Sequence, residues 1–245
     1  MPAPAQNASS LKERMHSGET LIGVSVPVGM QPERLTSVLE QGSYNFCWVD
    51  AQHTPVDEAA LVAFTKMAAD LGVDVMFRMM DPRHAYLVGH YLDLGVSGVE
   101  VPLVEMERTV DEAVSNFYYS PVGRRSWGGA ARLGFAKQPD RLEYSRWWNE
   151  TGVLWVQIES INAVTHVRKL AKPGVDCLSI GPADLTFSLD SNPGSPFKTV
   201  DDCVRHMVEQ LKDTDVAVCC RPPTRDGIRK YADMGARVLL ERWDF

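Results

Sequence analysis

The chain is short of every feature that would mark a nucleic-acid binder, a membrane protein or a disulfide scaffold. Its 25 Lys+Arg against 32 Asp+Glu leave a net charge of −7, and no basic run offsets that balance, so a polyanionic partner is not expected. No apolar stretch approaches the roughly 18 residues that a membrane span requires. Residues 1–10 have neither a basic segment nor an apolar one, so no secretory leader is read there. The five cysteines are odd in number and lack C-x-x-C spacing, which argues against structural zinc and disulfides and for a reducing cytoplasm, with the thiols as small buried hydrophobes. An H-E-x-x-H pair is missing, and with it the zinc peptidases. So is a G-x-G-x-x-G after the first apolar run, which reads Ser25-Val26-Pro27-Val28-Gly29; the open dinucleotide-binding sheet loses its usual signature.

What is present is an alternation. Short apolar runs rich in β-branched residues recur at 21–26, 46–50, 74–78, 98–102, 153–159, 176–181, 215–220 and 236–241. They are apolar almost throughout, as parallel strands buried on both faces are. Amphipathic stretches separate them. In the clearest, Asp57 is placed to cap a helix, Leu61, Phe64, Ala68 and Leu71 recur at helical spacing, and Gly72 follows the last turn, where a left-handed residue is wanted. Further helices are expected from Asp81-Pro82 to Asp93-Leu94-Gly95 and from Thr224 to Met234. Eight strands joined by helices imply a closed (β/α)₈ TIM barrel. It is read as a single domain over residues 1–245, with residues 1–18 a peripheral N-terminal segment. Two connections are long, 103–152 and 182–214, and both follow strand C-termini, where barrel active sites are built.

Polar residues gather at those strand ends: Asp50-Ala51-Gln52-His53, Phe77-Arg78, Gln157-Ile158-Glu159 and Gly181-Pro182-Ala183-Asp184. One such group alone is more often a cap or a turn former; four on one rim point to chemistry. Glu159 and Asp184 end consecutive strands, so their carboxylates can converge. Unneutralised they would repel, and one would hold a proton; a divalent cation resolves the conflict. Carboxylates without His or Cys make a hard site suited to Mg²⁺ or Mn²⁺. His53, beside Asp50 and Gln52, is placed for general acid–base work, and Arg78 can fork onto a substrate carboxylate or merely pair with Asp50. None of the eight lysines falls in an expected strand, so the buried lysine of a Schiff-base aldolase is missing. The aromatic group Phe117, Tyr118, Tyr119, Trp127, Phe135, Tyr144, Trp147 and Trp148 is read as core or subunit-interface packing, with a substrate pocket as the alternative.

These residues resemble the metal-dependent (class II) pyruvate aldolases of the 4-hydroxy-2-oxo-heptanedioate and 2-keto-3-deoxy sugar acid type, in the phosphoenolpyruvate/pyruvate superfamily. The resemblance runs from Leu21 to about Glu241. It is carried by Val156-Gln157-Ile158-Glu159-Ser160 and Ser179-Ile180-Gly181-Pro182-Ala183-Asp184-Leu185, with Val49-Asp50-Ala51-Gln52-His53 and Phe77-Arg78 upstream. It implies Glu159 and Asp184 as ligands of Mg²⁺ or Mn²⁺, with Co²⁺ a further candidate, and His53 as catalytic base. It implies Arg78 at the pyruvyl group, substrate contacts from Gln52, Gln157, Ala183 and Asp184, and Asp93 as a carboxylate supporting the histidine of a neighbouring subunit. The reaction implied is retro-aldol cleavage of a 4-hydroxy-2-oxo acid to pyruvate and an aldehyde, in a homo-oligomer whose partners are small 2-oxo acids and aldehydes rather than nucleic acid or membrane. A decarboxylase or lyase of an oxaloacetate-like or acyl-CoA substrate is the nearest alternative, and a non-catalytic barrel a further one. Relatives of this type continue into a final helix, which this chain is expected to lack after strand 8.

Overall fold

A computed structural model describes residues 9–138 and 140–242. Eight parallel strands close on themselves in sequence order: β1 (Leu21–Ser25), β2 (Phe46–Asp50), β3 (Asp74–Arg78), β4 (Gly98–Val101), β5 (Val153–Ile158), β6 (Cys177–Ile180), β7 (Ala217–Cys220) and β8 (Val238–Arg242). β8 pairs back onto β1, and no helix follows it among the described residues. The apolar runs behave as expected of strands with two covered faces. β2, for example, sends Phe46 and Trp48 into the barrel interior and Cys47 and Val49 outward against the helices. All five cysteines are buried and free. Among the described residues no helix is long and apolar enough to cross a membrane.

The helices start where the sequence offers caps. Asp57 accepts the Ala60 N–H at 2.9 Å and opens the helix Glu58–Asp70, which buries Leu61, Phe64 and Ala68; Gly72, at φ +72°, turns the chain back toward β3. The Asp81-Pro82 stretch begins as a 3₁₀ turn (Pro82–Leu87) before a short α-helix (Val88–Leu92). The helix expected from Thr224 is shorter, Gly227–Asp233. The connection 182–214 is filled by two helices, Pro182–Asp190 and Val200–Leu211. Within 103–152, Arg125 lies 4.9 and 4.7 Å from the rings of Tyr119 and Trp148, and Arg132 packs on Trp127, Phe135 and Tyr144.

The N-terminal end of the barrel is plugged by the helix Leu11–His16, from the segment expected to be peripheral. Leu11 and Met15 join the interior cluster of Leu21, Phe46, Trp48 and Met76. Lys12, itself buried, donates to Tyr118 Oη at 2.8 Å and Gly152 O at 2.9 Å, with Asp176 Oδ1 at 3.2 Å. Asp176 also accepts the Leu154 N–H and faces His16 Nε2 at 2.9 Å. This cation therefore closes the end of the barrel opposite the strand C-termini.

Strand register sets the other end. Asp50 is level with Arg78, and Arg78 with Glu100; one layer on, Gln157 is level with Ser179. In-register residues of parallel strands share a face. Side chains from successive strands are thus delivered to adjoining interior layers at the C-terminal rim.

Candidate active site

Arg78, at the end of β3, is buried and held from several sides. Its Nε and Nη2 donate to Asp50 Oδ1 and Oδ2 at 2.9 and 2.7 Å, and Nη1 donates to Gln157 Oε1 at 3.2 Å. The fork expected to meet a substrate carboxylate is therefore occupied by Asp50, leaving the Nη1 edge beside Gln157. Burial alone would raise the Asp50 carboxyl; the hydrogen bonds and charge of Arg78 outweigh it and hold Asp50 below the usual carboxylate range. Gln157 is fully buried, and its Nε2 has no partner, a donor aimed at nothing in the protein.

Glu159 follows β5 and is 5% exposed. Its Oε2 accepts the Leu103 N–H at 2.9 Å; Leu103 has φ +49°, a left-handed backbone that a bulky residue rarely adopts. Burial pushes the Glu159 carboxyl up to about 7; the Leu103 amide opposes this, and the charges of Glu100 and Asp184 add to it. The repulsion expected between Glu159 and Asp184 is thus present. Asp184 lies in the first turn of Pro182–Asp190, with Ala183 exposed just before it. Gly181 leaves room for the Glu159 side chain: a Cβ there would sit 2.0 Å from Glu159 Oε1.

His53 and Gln52 lie beyond β2. The Gln52 N–H donates to Asp50 Oδ1 at 2.9 Å, and its Oε1 is buried without a partner. His53 is exposed, close enough to Asp50 for their charges to interact, and borders a cavity of about 420 Å³ together with Gln52, Thr54, Phe77 and Met80. Asp93 belongs to a different group. It ends the helix Val88–Leu92 and accepts from Arg125 Nη2 at 2.7 Å, its carboxylate lying where a Cβ on Gly129 would have to go.

Three interior residues escaped the sequence reading. Glu100, fully buried on β4, receives Trp48 Nε1 at 2.6 Å and Arg221 Nη2 at 2.6 and 2.8 Å. A carboxylate inside the run Gly98–Val101 was the available signal, since a charge buried on both sides needs a partner.

Among the described residues no group of three or more His, Cys, Asp or Glu stands ready for a metal. The two carboxylates nonetheless fit a hard cation. Glu159 is a buried carboxylate with no salt bridge among the described residues, raised chiefly by burial and further by Glu100 and Asp184, and a divalent ion is what such a pair lacks. Water and substrate oxygens would supply the remaining ligands.

The model of the HpcH/HpaI aldolase/citrate lyase family matches residues 34–236. The chain belongs to this family. Among similar proteins is a hydroxypyruvate/pyruvate aldolase of Delftia acidovorans, 28% identical over 95% of this chain and 85% of the relative. The crystal structure of an HpcH/HpaI aldolase from Desulfitobacterium hafniense superposes with a TM-score of 0.81 at 22% identity, covering 97% of this chain and 91% of that one. That of the citrate synthase SbnG gives 0.77 at 25% identity, over 96% and 91%. Membership in the HpcH/HpaI family assigns carbon–carbon bond chemistry of the aldolase and lyase kind to this barrel.

Proposed function

We propose that the chain cleaves 4-hydroxy-2-oxo acids to pyruvate and an aldehyde, with a divalent cation held by Glu159 and Asp184. The observation that carries this reading is the buried, uncompensated Glu159 beside Asp184 on the rim of an HpcH/HpaI barrel. When bound, such a cation supplies Lewis acidity toward the keto and carboxylate oxygens of the substrate. The protein's own groups do the rest. Gln157 Nε2, buried and unpartnered, donates to a substrate oxygen and orients the acid. His53, on the open side of the rim, takes the proton from the 4-hydroxyl as the C3–C4 bond breaks to give the aldehyde and an enolate, and one proton returned to C3 completes pyruvate. The negative oxygen of the departing pyruvate enolate meets the Nη1 edge of Arg78, whose other edge Asp50 has fixed in advance. A donor already oriented costs no reorganisation as the charge develops.

The test is pyruvate release from a set of 4-hydroxy-2-oxo acids, with chelator and after return of Mg²⁺, Mn²⁺ or Co²⁺. Release that stops on chelation and resumes with metal is expected; undiminished release in chelator refutes the cation. Pyruvate formed from oxaloacetate but from none of the hydroxy acids would replace the aldolase reading with a decarboxylase.

A further inference from the structure

Beside Arg78 lies a second charged assembly with no place in the chemistry above. Glu100 is fully buried in the barrel interior. It accepts the Trp48 indole N–H at 2.6 Å and is clasped through both oxygens by Arg221 Nη2, which also donates to Ser179 Oγ at 3.2 Å. The guanidinium carbons of Arg78 and Arg221 lie 4.9 and 4.4 Å from the centroid of the same Trp48 ring. The residues come from β2, β4 and the end of β7, strands that are not neighbours in the sheet. Their contacts therefore span the barrel.

We propose that Trp48, Glu100 and Arg221 form a positioning unit that fixes the plane of the Arg78 guanidinium. The fork from Nε and Nη2 to Asp50 sets Arg78 within its own plane. Tilt about the axis joining the two groups is then opposed by the single bond from Nη1 to Gln157 Oε1, at 3.2 Å. The Trp48 ring, with the guanidinium carbon over it at 4.9 Å, adds a second restraint on that tilt. The indole is itself held in rotation by its N–H on Glu100, and Glu100 by Arg221. The charges balance in pairs: Asp50 with Arg78 and Glu100 with Arg221, so two guanidiniums can share one ring without net repulsion. Packed apolar residues of similar volume often equal or exceed a buried ion pair in stability, so stability alone is a weak reason for this pair. The geometry gives a specific one. The residues are positioning groups, reaching substrate through Arg78.

The proposal rests on the aldolase reading, and its test separates the two. Glu100→Met/Arg221→Met removes both charges together, so neither is left buried and unpaired. With metal present, kcat and KM are measured for wild type, this double variant, Arg78→Lys and the triple combination. The double variant is expected to lose about tenfold in kcat with little change in KM, and less than about twofold once Arg78 is already lysine, a coupling within the range found for residues in contact. An equal loss in both backgrounds overturns the proposal, because a general structural defect ignores what occupies position 78. Should the double variant fail to fold, Trp48→Phe, which keeps a ring but loses the donor to Glu100, completes the same cycle under the same two outcomes. Should wild type release no pyruvate from any substrate, the aldolase reading fails, and exchange of the Arg78 Nε–H decides this one. That proton, assigned by its disappearance in Arg78→Lys, is expected to exchange about tenfold faster in Trp48→Phe as the site opens more readily. Unchanged exchange overturns the unit.

Discussion

Glu159→Gln is expected to stabilise the metal-free protein, by an amount that grows with pH. The Glu159 carboxyl, at 4.5 in the unfolded chain, is raised to about 7 in the fold, chiefly by burial. The gap between those values is worth on the order of 3 kcal/mol, and at 5% exposure little of it is screened by solvent. Because the folded value is the higher one, the unfolded chain ionises first as pH climbs. The stability linked to this group is therefore whole below 4.5 and lost as pH rises through about 7. Glutamine ionises in neither state, so it escapes the loss. Melting curves of wild type and variant in chelator should nearly coincide below pH 4.5 and diverge above it. By about pH 8 the variant should melt roughly 6–12 °C higher, taking roughly 2–4 °C per kcal/mol for a chain of this size. Differential scanning calorimetry across that range is the assay. A Tm difference that stays constant with pH would show that Glu159 is not raised by the fold, and would remove the reason to put a cation beside it. Adding Mn²⁺ at the alkaline end should lift the wild type and leave the variant where it was.

His53→Ala should lower kcat by roughly 10²–10⁴ with the Mn²⁺ isotherm intact by calorimetry; unchanged kcat with a flattened isotherm would make His53 a ligand instead of the base. Gly181→Ala has no backbone objection at φ −92°, but its Cβ would fall 2.0 Å from Glu159 Oε1. Cation affinity should drop about tenfold or more while the circular dichroism spectrum is kept, the scale of losing support for a metal ligand; unaltered affinity would mean that Glu159 is not a ligand. Arg78→Lys cannot span both Asp50 oxygens from a single ammonium, and kcat/KM should fall roughly 100-fold with part of the loss in kcat. A large fall in Tm with near-normal turnover would make the Asp50–Arg78 pair a structural one.

The barrel was legible in the sequence because each strand is a continuous apolar run and each cap is local. β2 and β3 begin and end at the expected residues, and the other six differ only at their ends. The expected strand 6 starts at Asp176, one residue before β6, although the Asp176 N–H and C=O still bond to Leu154 O and the Ala217 N–H at 2.9 Å each. The acidic rim was readable for the same local reason: Gln157, Glu159 and Asp184 stand at strand ends. What stayed hidden is lateral. Trp48, Glu100 and Arg221 meet across the barrel interior, and no spacing along the chain encodes that meeting. Arg78 was foreseen as either a substrate fork or a partner of Asp50; the fork on Asp50 is the arrangement found. Asp93 pairs with Arg125 in its own chain, a contact that depends on the path of the connection between β4 and β5.

Closure of the barrel bears on how the molecule comes to be made. β1 lies between β2 and β8, so the first strand to leave the ribosome waits for the last. At typical synthesis speeds the roughly 200 residues between them take about 10–40 s to emerge. Throughout that interval one edge of β1 carries unpaired amides and carbonyls, the kind of edge that recruits foreign strands. The helix Leu11–His16 waits as well, because Lys12 finds Tyr118, Gly152 and Asp176 only after β5 and the start of β6 exist. The first strand of this barrel is thus the last to be fully paired. The protein's yield in a cell should depend on chaperones that shelter a half-built sheet more than on the stability of the finished one.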